Sequence, residues 1–588
     1  MRSAVQGLSL ALFTLLFALA DYRLPDWLPA DIYLRLDPLL GLTAILAGRE
    51  MVARAVWGAL LIAATLLFGR FFCAWVCPLG ACIDFLDALF FRKIRRRALK
   101  TDARLRRVKY VVLLAILAAA LAGVLLVYLM DPLSLLTRTY TFVFYPLVIT
   151  LLNLGLDGLR PLAQAMGWMG LATRAYPQPV YYMALLTLSI FGGIIALSRL
   201  VPRFWCRYLC PLGALLSLIS PVGLFKRKVG PECTECMKCQ ADCPMGAALD
   251  GTDARLAECI QCRTCAEVCK EEAIGFPVAA PIPGGEYSRI DLSRRGFVYS
   301  VTGGLGLGFL VHRTPFAALH GKQTFIRPPG ALPEAEFLTT CIRCGECMKS
   351  CLTNTLQPCL WESGLEGLWT PRMELRFAAC EQECNVCGKV CPTQAIRSLP
   401  LEEKTHAKVG TAVLKKESCL VWAQDKLCLI CDEICPYNAI VFRTVEGYRR
   451  PVVISSRCNG CGFCETRCPV EGESAIVVTP NGEIRLKDGS YVTEAKRLQL
   501  EFKPDPGDDQ FILKEEGLKV EPEGTSREPR PASREPRATS RETRGERREP
   551  GAASREPRAT SRESSGSDRG QGGEGESGRA RGKPKGFL

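Results

Sequence analysis

The residues best suited to chemistry in this chain are cysteines, and 24 of the 30 fall into six groups of four. Four groups share the spacing Cys-x2-Cys-x2-Cys-x3-Cys: Cys233, Cys236, Cys239 and Cys243; Cys259, Cys262, Cys265 and Cys269; Cys341, Cys344, Cys347 and Cys351; and Cys458, Cys461, Cys464 and Cys468. Two are stretched at the first gap: Cys380, Cys384, Cys387 and Cys391; and Cys419, Cys428, Cys431 and Cys435. Proline follows Cys243, Cys391, Cys435 and Cys468. This pattern suits cubane [4Fe–4S] clusters. Three close thiolates take one face of a cluster, and the fourth turns away to ligate its neighbour. Six groups predict about six clusters, enough for an electron wire.

Two blander readings compete. Cysteine pairs two apart also bind zinc, but zinc sites take two such pairs or add histidine. The chain has only three histidines, His312, His320 and His406. A disulfide framework is the other rival. Cysteines this close along the chain pair poorly with one another, whereas one cluster satisfies a whole group.

Such clusters need a scaffold, and the rest of the chain divides into unlike parts. At 588 residues it should hold several domains. Residues 1–222 are strongly apolar. Four stretches are candidates to span a bilayer: Val5–Ala20, Ala55–Phe72, Tyr110–Met130 and Tyr181–Leu200. A buried core helix is the alternative for each. The loop Arg92–Lys109 and the cluster Lys226-Arg227-Lys228 are basic, so both are expected on the cytoplasmic side. With Arg2 also inside, the path is in–out–in–out–in. The net charge of +14 is therefore a topology signal plus a solvated tail, not a nucleic-acid surface. Two further apolar segments, Leu36–Gly48 and Phe142–Leu156, do not fit the even count and are expected to be re-entrant or interfacial.

An internal repeat underlies this reading. Asp37-Pro38-Leu39-Leu40-Gly41-Leu42-Thr43 matches Asp131-Pro132-Leu133-Ser134-Leu135-Leu136-Thr137. The run from Phe71 to Ala81 matches that from Phe204 to Ala214, each containing Cys-x3-Cys-Pro-Leu-Gly-Ala. A longer insertion near residues 157–180 marks the second copy. Cys73 with Cys77, and Cys206 with Cys210, each lie one helical turn apart. They form a candidate membrane redox site: a dithiol pair, a shared metal, or four cysteines converging. Buried, inert thiols are the alternative, and that is the expectation for the isolated Cys82 and Cys359.

Gly69-Arg70-Phe71-Phe72-Cys73 through Cys77-Pro78, the second pair at Cys206 and Cys210, and the eight cysteines at 233–269 resemble the NapH/MauN family. Those are polytopic membrane ferredoxins, more distantly related to the NosR and CcoG types. The resemblance covers about residues 1–280. It implies passage of electrons from membrane quinol towards periplasmic acceptors. No flavin-attachment domain like that of NosR is evident, nor a Cys-x2-Cys-His haem motif. The segment from Arg327-Pro328-Pro329-Gly330 to about Val478 resembles the NapG/MauM family of four-cluster periplasmic ferredoxins. Its match includes Cys341-Ile342-Arg343-Cys344-Gly345-Glu346-Cys347 and Cys387-Gly388-Lys389-Val390-Cys391-Pro392. The two partners, separate chains in those families, look fused here.

Leu292-Ser293-Arg294-Arg295-Gly296-Phe297-Val298, followed by the apolar stretch Tyr299–Val311, looks like a twin-arginine export signal at the join. No convincing cleavage site stands near Ala317-Ala318, so the segment is a candidate fifth span. By the ferredoxin rule, Cys233/Cys236/Cys239/Cys269 and Cys259/Cys262/Cys265/Cys243 hold two clusters. The same rule groups Cys341/Cys344/Cys347/Cys391, Cys380/Cys384/Cys387/Cys351, Cys458/Cys461/Cys464/Cys435 and Cys419/Cys428/Cys431/Cys468. Short strands are expected at Ala439–Phe442 and Ala475–Val478. Domains this small draw much of their folding energy from metal. From Glu523 onward, repeated Ser-Arg-Glu-Pro-Arg units predict a disordered tail.

The expected architecture is multidomain: an α-helical membrane bundle of four to five spans, α+β bacterial-ferredoxin-like [4Fe–4S] domains, and the tail. The boundaries are 1–222 (membrane), 226–280 (cytoplasmic ferredoxin), 288–325 (signal or anchor), 327–480 (periplasmic ferredoxin), 481–522 (extension) and 523–588 (tail). The expected setting is the bacterial inner membrane. The partners are the quinone pool, the lipid bilayer and a periplasmic reductase or electron carrier, with no nucleic acid. No residue is a credible catalytic acid, base or nucleophile, which makes the chain a conduit and a candidate component of a quinol dehydrogenase. An assembly factor supplying electrons for metal insertion into a partner enzyme is the alternative.

Overall fold

A computed structural model of the chain describes residues 1–21, 25, 28–91, 102–248, 255–278, 293–313, 325–360, 362–445 and 447–502. The tail at 523–588, most of the basic loop before Asp102, and the region of Ala317-Ala318 lie outside these. The described residues form a helical bundle with a cysteine-rich module at each end.

The bundle's repeat has a local cause. Asp37 caps the helix Pro38–Gly48, its Oδ1 accepting from the backbone N–H of Leu39 at 2.8 Å and Leu40 at 3.3 Å. Asp131 caps Pro132–Thr139 in the same way, through Leu133 at 3.0 Å and Ser134 at 2.8 Å. Proline at the first helical position is preorganised for the helix and lacks the N–H that would go unpaired there. The repeat of Cys-Pro works likewise: Cys77 and Cys210 occupy the N-caps of Pro78–Phe90 and Pro211–Ile219. The two aspartates meet each other inside the bundle.

The expected spans are reproduced unevenly. Arg2–Leu19 is a single 18-residue helix and is long and apolar enough to cross a membrane. The segment expected over Ala55–Phe72 is broken instead, into a 3-10 turn at Ala53–Trp57, the helix Gly58–Phe68 and a stop at Gly69, whose φ is +64°. The helix over the third segment runs Asp102–Leu121 and starts earlier, because its first turn is held by charges rather than by lipid-facing residues. The fourth is Ala184–Leu197, 14 residues long. The largest departure is Phe142–Leu156. It is not a short re-entrant piece: it lies within a continuous helical run, Pro132–Ala165, the second run in the described residues long and apolar enough to span. The insertion unique to this half of the repeat extends the helix past the point where its counterpart, Pro38–Gly48, stops.

The modules sit at opposite ends of shared helices. At the start of Arg2–Leu19, Arg2 donates to Thr264 of the first module at 2.9 Å. Beyond its other end, the carbonyl of Ala20 accepts from Lys349 at 2.8 Å and Ser350 at 2.7 Å in the second module. The helix Asp102–Leu121 repeats the arrangement. Arg106 reaches the Gly246 carbonyl at 3.1 Å, and Lys109 pairs with Glu258 at 2.5 Å. Past its far end, the Leu125 carbonyl accepts from Arg343 at 3.2 Å. An 18-residue helix is about 27 Å long, so that length separates the two docking faces.

The segment carrying the arginine pair, Arg294–Arg313, is a 20-residue helix packed along Asp102–Leu121. Gly304 lies against the Ala115 backbone, and Gly308 against Ala119 and Ala122. Contacts that advance together along both chains mean the helices run parallel, so this helix travels from the first module's end of the bundle towards the second's. Small residues on both sides allow that approach.

Each module is built from short two-stranded antiparallel sheets. Lys228–Val229 pairs with Ile274–Gly275 in the first. In the second, Leu356–Pro358 pairs with Pro371–Met373, Thr411–Leu414 with Ile476–Thr479, and Ile440–Val445 with Tyr448–Val453. The strands expected near 439–442 and 475–478 are therefore present.

G304L should force the two parallel helices apart and lower stability by about 1–3 kcal/mol. G303L, at a position where an added Cβ would meet nothing within 4 Å, should be nearly neutral. Thermal unfolding of the detergent-solubilised chain compares them.

Candidate metal centres

The cysteine groups adopt one backbone solution. In each regular group, the residue before the second cysteine and the residue after it are both left-handed: Glu235 and Met237, Gln261 and Arg263, Arg343 and Gly345, Gly460 and Gly462. Five of these eight carry a Cβ with a long side chain, for which this conformation costs about 1 kcal/mol or more each. Such strain persists only where surroundings impose it. Here it wraps the chain around a centre with all three thiols turned inward. The stretched groups lack the paired left-handed residues at these positions. All six groups share a four-residue helix around the third cysteine, at Lys238–Ala241, Thr264–Glu267, Glu346–Lys349, Val386–Lys389, Ile430–Glu433 and Phe463–Thr466. The irregularity is thus confined to the first gap.

Four cavities are each lined by three cysteines of one group and the last cysteine of another. They hold Cys233, Cys236, Cys239 and Cys269; Cys243, Cys259, Cys262 and Cys265; Cys351, Cys380, Cys384 and Cys387; and Cys435, Cys458, Cys461 and Cys464. Cys341, Cys344 and Cys347 face Cys391. Cys419 shares an apolar cluster with Cys428 and Cys468, and Cys431 faces Cys419 and Cys428. The structure therefore brings together all six sets that the alternating rule groups.

The surroundings suit an anionic iron–sulfur group. Backbone N–H groups point at the sulfurs: Ala247 to Cys243 at 3.2 Å, Ala412 to Cys458 at 3.3 Å and Ala439 to Cys435 at 3.3 Å. Burial pushes the Cys341 thiol up to about 11 and those of Cys259 and Cys431 to about 12. Thiols so placed stay protonated unless a metal supplies compensating positive charge. Among the described residues, no three Cys, His, Asp or Glu side chains close on a single metal ion. Thiolates on one zinc, at Zn–S of about 2.3 Å, crowd more tightly than those around a cubane.

A buried ion pair supports the second module's entrance. Arg327 donates to Glu334 at 2.6 and 3.1 Å and to Ser363 at 3.0 Å, with Phe325 and Phe337 packed against its guanidinium. Burial acts to raise the Glu334 pKa, but Arg327 and Arg485 overcome it and hold the carboxyl at about 2. The isolated thiols stand outside the six sets. Cys82 and Cys359 are buried, and Cys359 lies 3.6 Å from Arg327.

The two Cys-x3-Cys-Pro elements converge. Each of Cys73, Cys77, Cys206 and Cys210 lies within electrostatic reach of the other three. Cys73 and Cys206 also share an apolar cluster with Cys243, Cys259 and Cys262 of the first module. Two residues without an assigned role stand beside them, the fully buried Arg70 and Arg203. The signal for them was in the repeat, which places an arginine three residues before the first cysteine of each copy.

These features define an iron–sulfur electron-transfer protein with multiple ferredoxin-type [4Fe–4S] sites. A family model described as a 4Fe-4S binding domain matches twice, at residues 51–97 and 183–232, and a 4Fe-4S dicluster domain matches at 426–471. The chain is 42% identical over 174 residues to the methylamine utilization ferredoxin-type protein MauM of Methylorubrum extorquens, covering 28% of this chain and 76% of that protein. It is 40% identical over 164 residues to MauM of Paracoccus denitrificans, 26% of this chain and 71% of that one. It is 37% identical over 166 residues to the ferredoxin-type protein NapG of Escherichia coli, 26% and 70% respectively. No solved structure matches. The chain belongs to the MauM/NapG family of ferredoxin-type proteins.

Serine variants test the ligation. C269S should abolish the same electron paramagnetic resonance component as C233S, while C243S should match C259S. If clusters were ligated within single groups, C269S would match C259S instead. Separately, the Glu334 pKa lies below its unfolded value of 4.5. Its stabilisation is full above pH 4.5 and is lost as pH falls through about 2. E334Q should therefore cost on the order of 3 kcal/mol at pH 7, with the gap to the native chain narrowing below pH 4.5 in denaturant titrations.

Proposed function

We propose that the chain is a membrane-bound electron conduit, combining a NapH/MauN-type membrane ferredoxin with a NapG/MauM-type exported ferredoxin. The carrying observation is the placement of the modules at opposite ends of the same helices, about 27 Å apart. The hydrocarbon core of a bilayer is about 30 Å thick. Leucines project from the helices between them: Leu8, Leu12 and Leu15 on the first, and Leu147, Leu151 and Leu154 on the second apolar run, are all exposed. A bilayer would cover that surface.

In this reading the six cysteine sets hold six [4Fe–4S] clusters, which supply one-electron storage at closely spaced positions. The protein's part is to fix those positions and donate N–H groups to the sulfurs. Quinol is the donor at the bundle, and a periplasmic reductase or carrier receives the electrons. The arginine pair at Arg294-Arg295 and the helix beyond it take the second module across as a Tat-type signal that stays in place as a further span. That helix's packing against Asp102–Leu121 supports its retention.

Protease treatment of intact spheroplasts tests the arrangement. The region 341–468 should be digested while 233–269 stays protected until lysis. Protection of both would place both modules in the cytoplasm and end the transmembrane reading.

A further inference from the structure

A cavity where the bundle meets the second module carries an inference that deepens the conduit reading and rests on it. Its volume is about 320 Å³, within the range of about 300–1,000 Å³ usual for small-molecule sites. It lies where the helix Pro38–Gly48 ends against the module. A Cβ on Gly48 would stand 3.8 Å from the Thr339 hydroxyl and 3.9 Å from that of Thr340. The two sides of the cavity differ. The bundle side carries Ala44, Met51, Val52 and Ala53. The module side carries Thr339, Thr340, Thr393 and Glu336. At the rim, Glu50 of the bundle pairs with Lys487.

The module side is also the wall of a cysteine set. Thr340 immediately precedes Cys341, and Thr393 follows Cys391 by two residues. The Thr393 hydroxyl stands beside the Cys391 sulfur. It is buried and makes no hydrogen bond to oxygen or nitrogen among the described residues, which leaves its lone pairs for an O–H in the cavity. Arg54 ties this wall to the bundle, donating to the Cys391 carbonyl at 2.5 Å. The bundle side continues into lipid-facing surface. Met51, Val56 and Trp57 are exposed, and the helix Gly58–Phe68 that follows exposes Leu60, Leu66 and Leu67. Tryptophan is enriched where a membrane meets water. An occupant of this cavity therefore needs an apolar body, hydroxyls at one end, and access from the bilayer.

We infer that this cavity binds the quinol headgroup. The ring lies against Met51, Val52 and Ala53, its hydroxyls reach Thr393 and Glu336, and its tail leaves past Trp57 into the bilayer. Oxidation breaks two O–H bonds. The two protons leave by way of Glu336 to water on the second module's side. The two electrons pass one at a time to the iron–sulfur set behind Thr340 and Thr393, the second following once the first has moved on to the neighbouring set. Entry is therefore at Cys341/Cys344/Cys347/Cys391, and the first module takes no part in this step.

The full chain in proteoliposomes tests this, with short-chain ubiquinol and menaquinol as reductants and dithionite as the control. Binding is read separately from the fluorescence quenching of heptyl-hydroxyquinoline N-oxide, a quinol-site probe. A53W should weaken probe binding and slow quinol reduction of the second module about tenfold or more, with iron content and reduction by dithionite unchanged. T393V should weaken binding and keep its iron. C259S, which removes a first-module ligand, should leave quinol reduction of the second module as fast as in the native chain. Probe binding and quinol reduction that survive in A53W would overturn the site, and loss of quinol reduction in C259S would overturn entry at the second module. If A53W loses iron, a photoreactive azidoquinone on the native chain decides. Labelling at residues 51–53 or 339–340 supports the site, and labelling elsewhere overturns it. A native chain that neither quinol reduces, while dithionite does, would instead remove the quinol-fed conduit reading itself.

Discussion

The structure depends on cysteine sulfur gathered into sets and largely, though not wholly, withdrawn from water. A thiol buried among apolar neighbours and other thiols resists ionisation, and each additional thiol makes the next harder to ionise. Iron reverses this by supplying the missing charge. The left-handed residues Glu235, Met237, Gln261, Arg263 and Arg343 are the backbone expression of the same constraint. The sheets around them are two to six residues deep per strand and bury too little to close such loops unaided. The order of each module therefore depends on a group that the sequence binds but does not contain.

The modules dock on the bundle by apolar packing, which puts Tyr128, Phe142 and Tyr181 in the second module's core and Ala74 in the first's, and by side-chain hydrogen bonds to backbone carbonyls. Ser134 donates to Ile342, Tyr181 to Met348, Arg70 to Ala257 and Trp75 to Gln261. Arginines with rings packed against them add rigidity at the second module's face, with Arg138 over Trp369 and Arg343 over Tyr128, each at 4.2 Å. Because these contacts end on backbone atoms next to cysteines, they fix the positions of the sulfurs themselves rather than of the module surface.

Much of this was legible in the sequence, and for one reason. Cluster ligands must be cysteines at spacings set by the cluster, so Cys233, Cys341 and Cys458 announce their groups without help from the fold. The stretched first gap makes Cys419 the least readable ligand, although the one-turn helix around Cys431 keeps the later spacing of its group. The bundle was harder. Apolarity marks Arg2–Leu19 clearly, but it cannot tell a span from a buried helix. The stop at Gly69 lies against Gln261 and Ser220, far along the chain, and the continuation from Pro132 through Ala165 runs on as a largely exposed helix that apolarity alone does not delimit. Arg70 and Arg203 carry no role in the sequence reading because a single arginine beside an apolar segment has no spacing partner to mark it. Only the three-dimensional contact with the other copy's glycine sets them apart.

The repeat is a two-fold arrangement folded into one chain. In a two-fold interface, residue i meets j of the partner while j meets its i. Here Arg70 meets Gly213 and Arg203 meets Gly80, while Asp37 meets Asp131 and the two cysteine pairs meet each other. Elements on the axis meet their own copies, and elements off it exchange partners. Glycine at positions 80 and 213 is a consequence, since a side chain there would occupy the space of the opposing guanidinium. The two copies then diverge where symmetry has no use. Asp84 satisfies Arg203 by a two-point pair, whereas Arg70 turns to the first module at Ala257 and Glu258. A symmetric arrangement thereby gains one face that docks a ferredoxin module and one that does not.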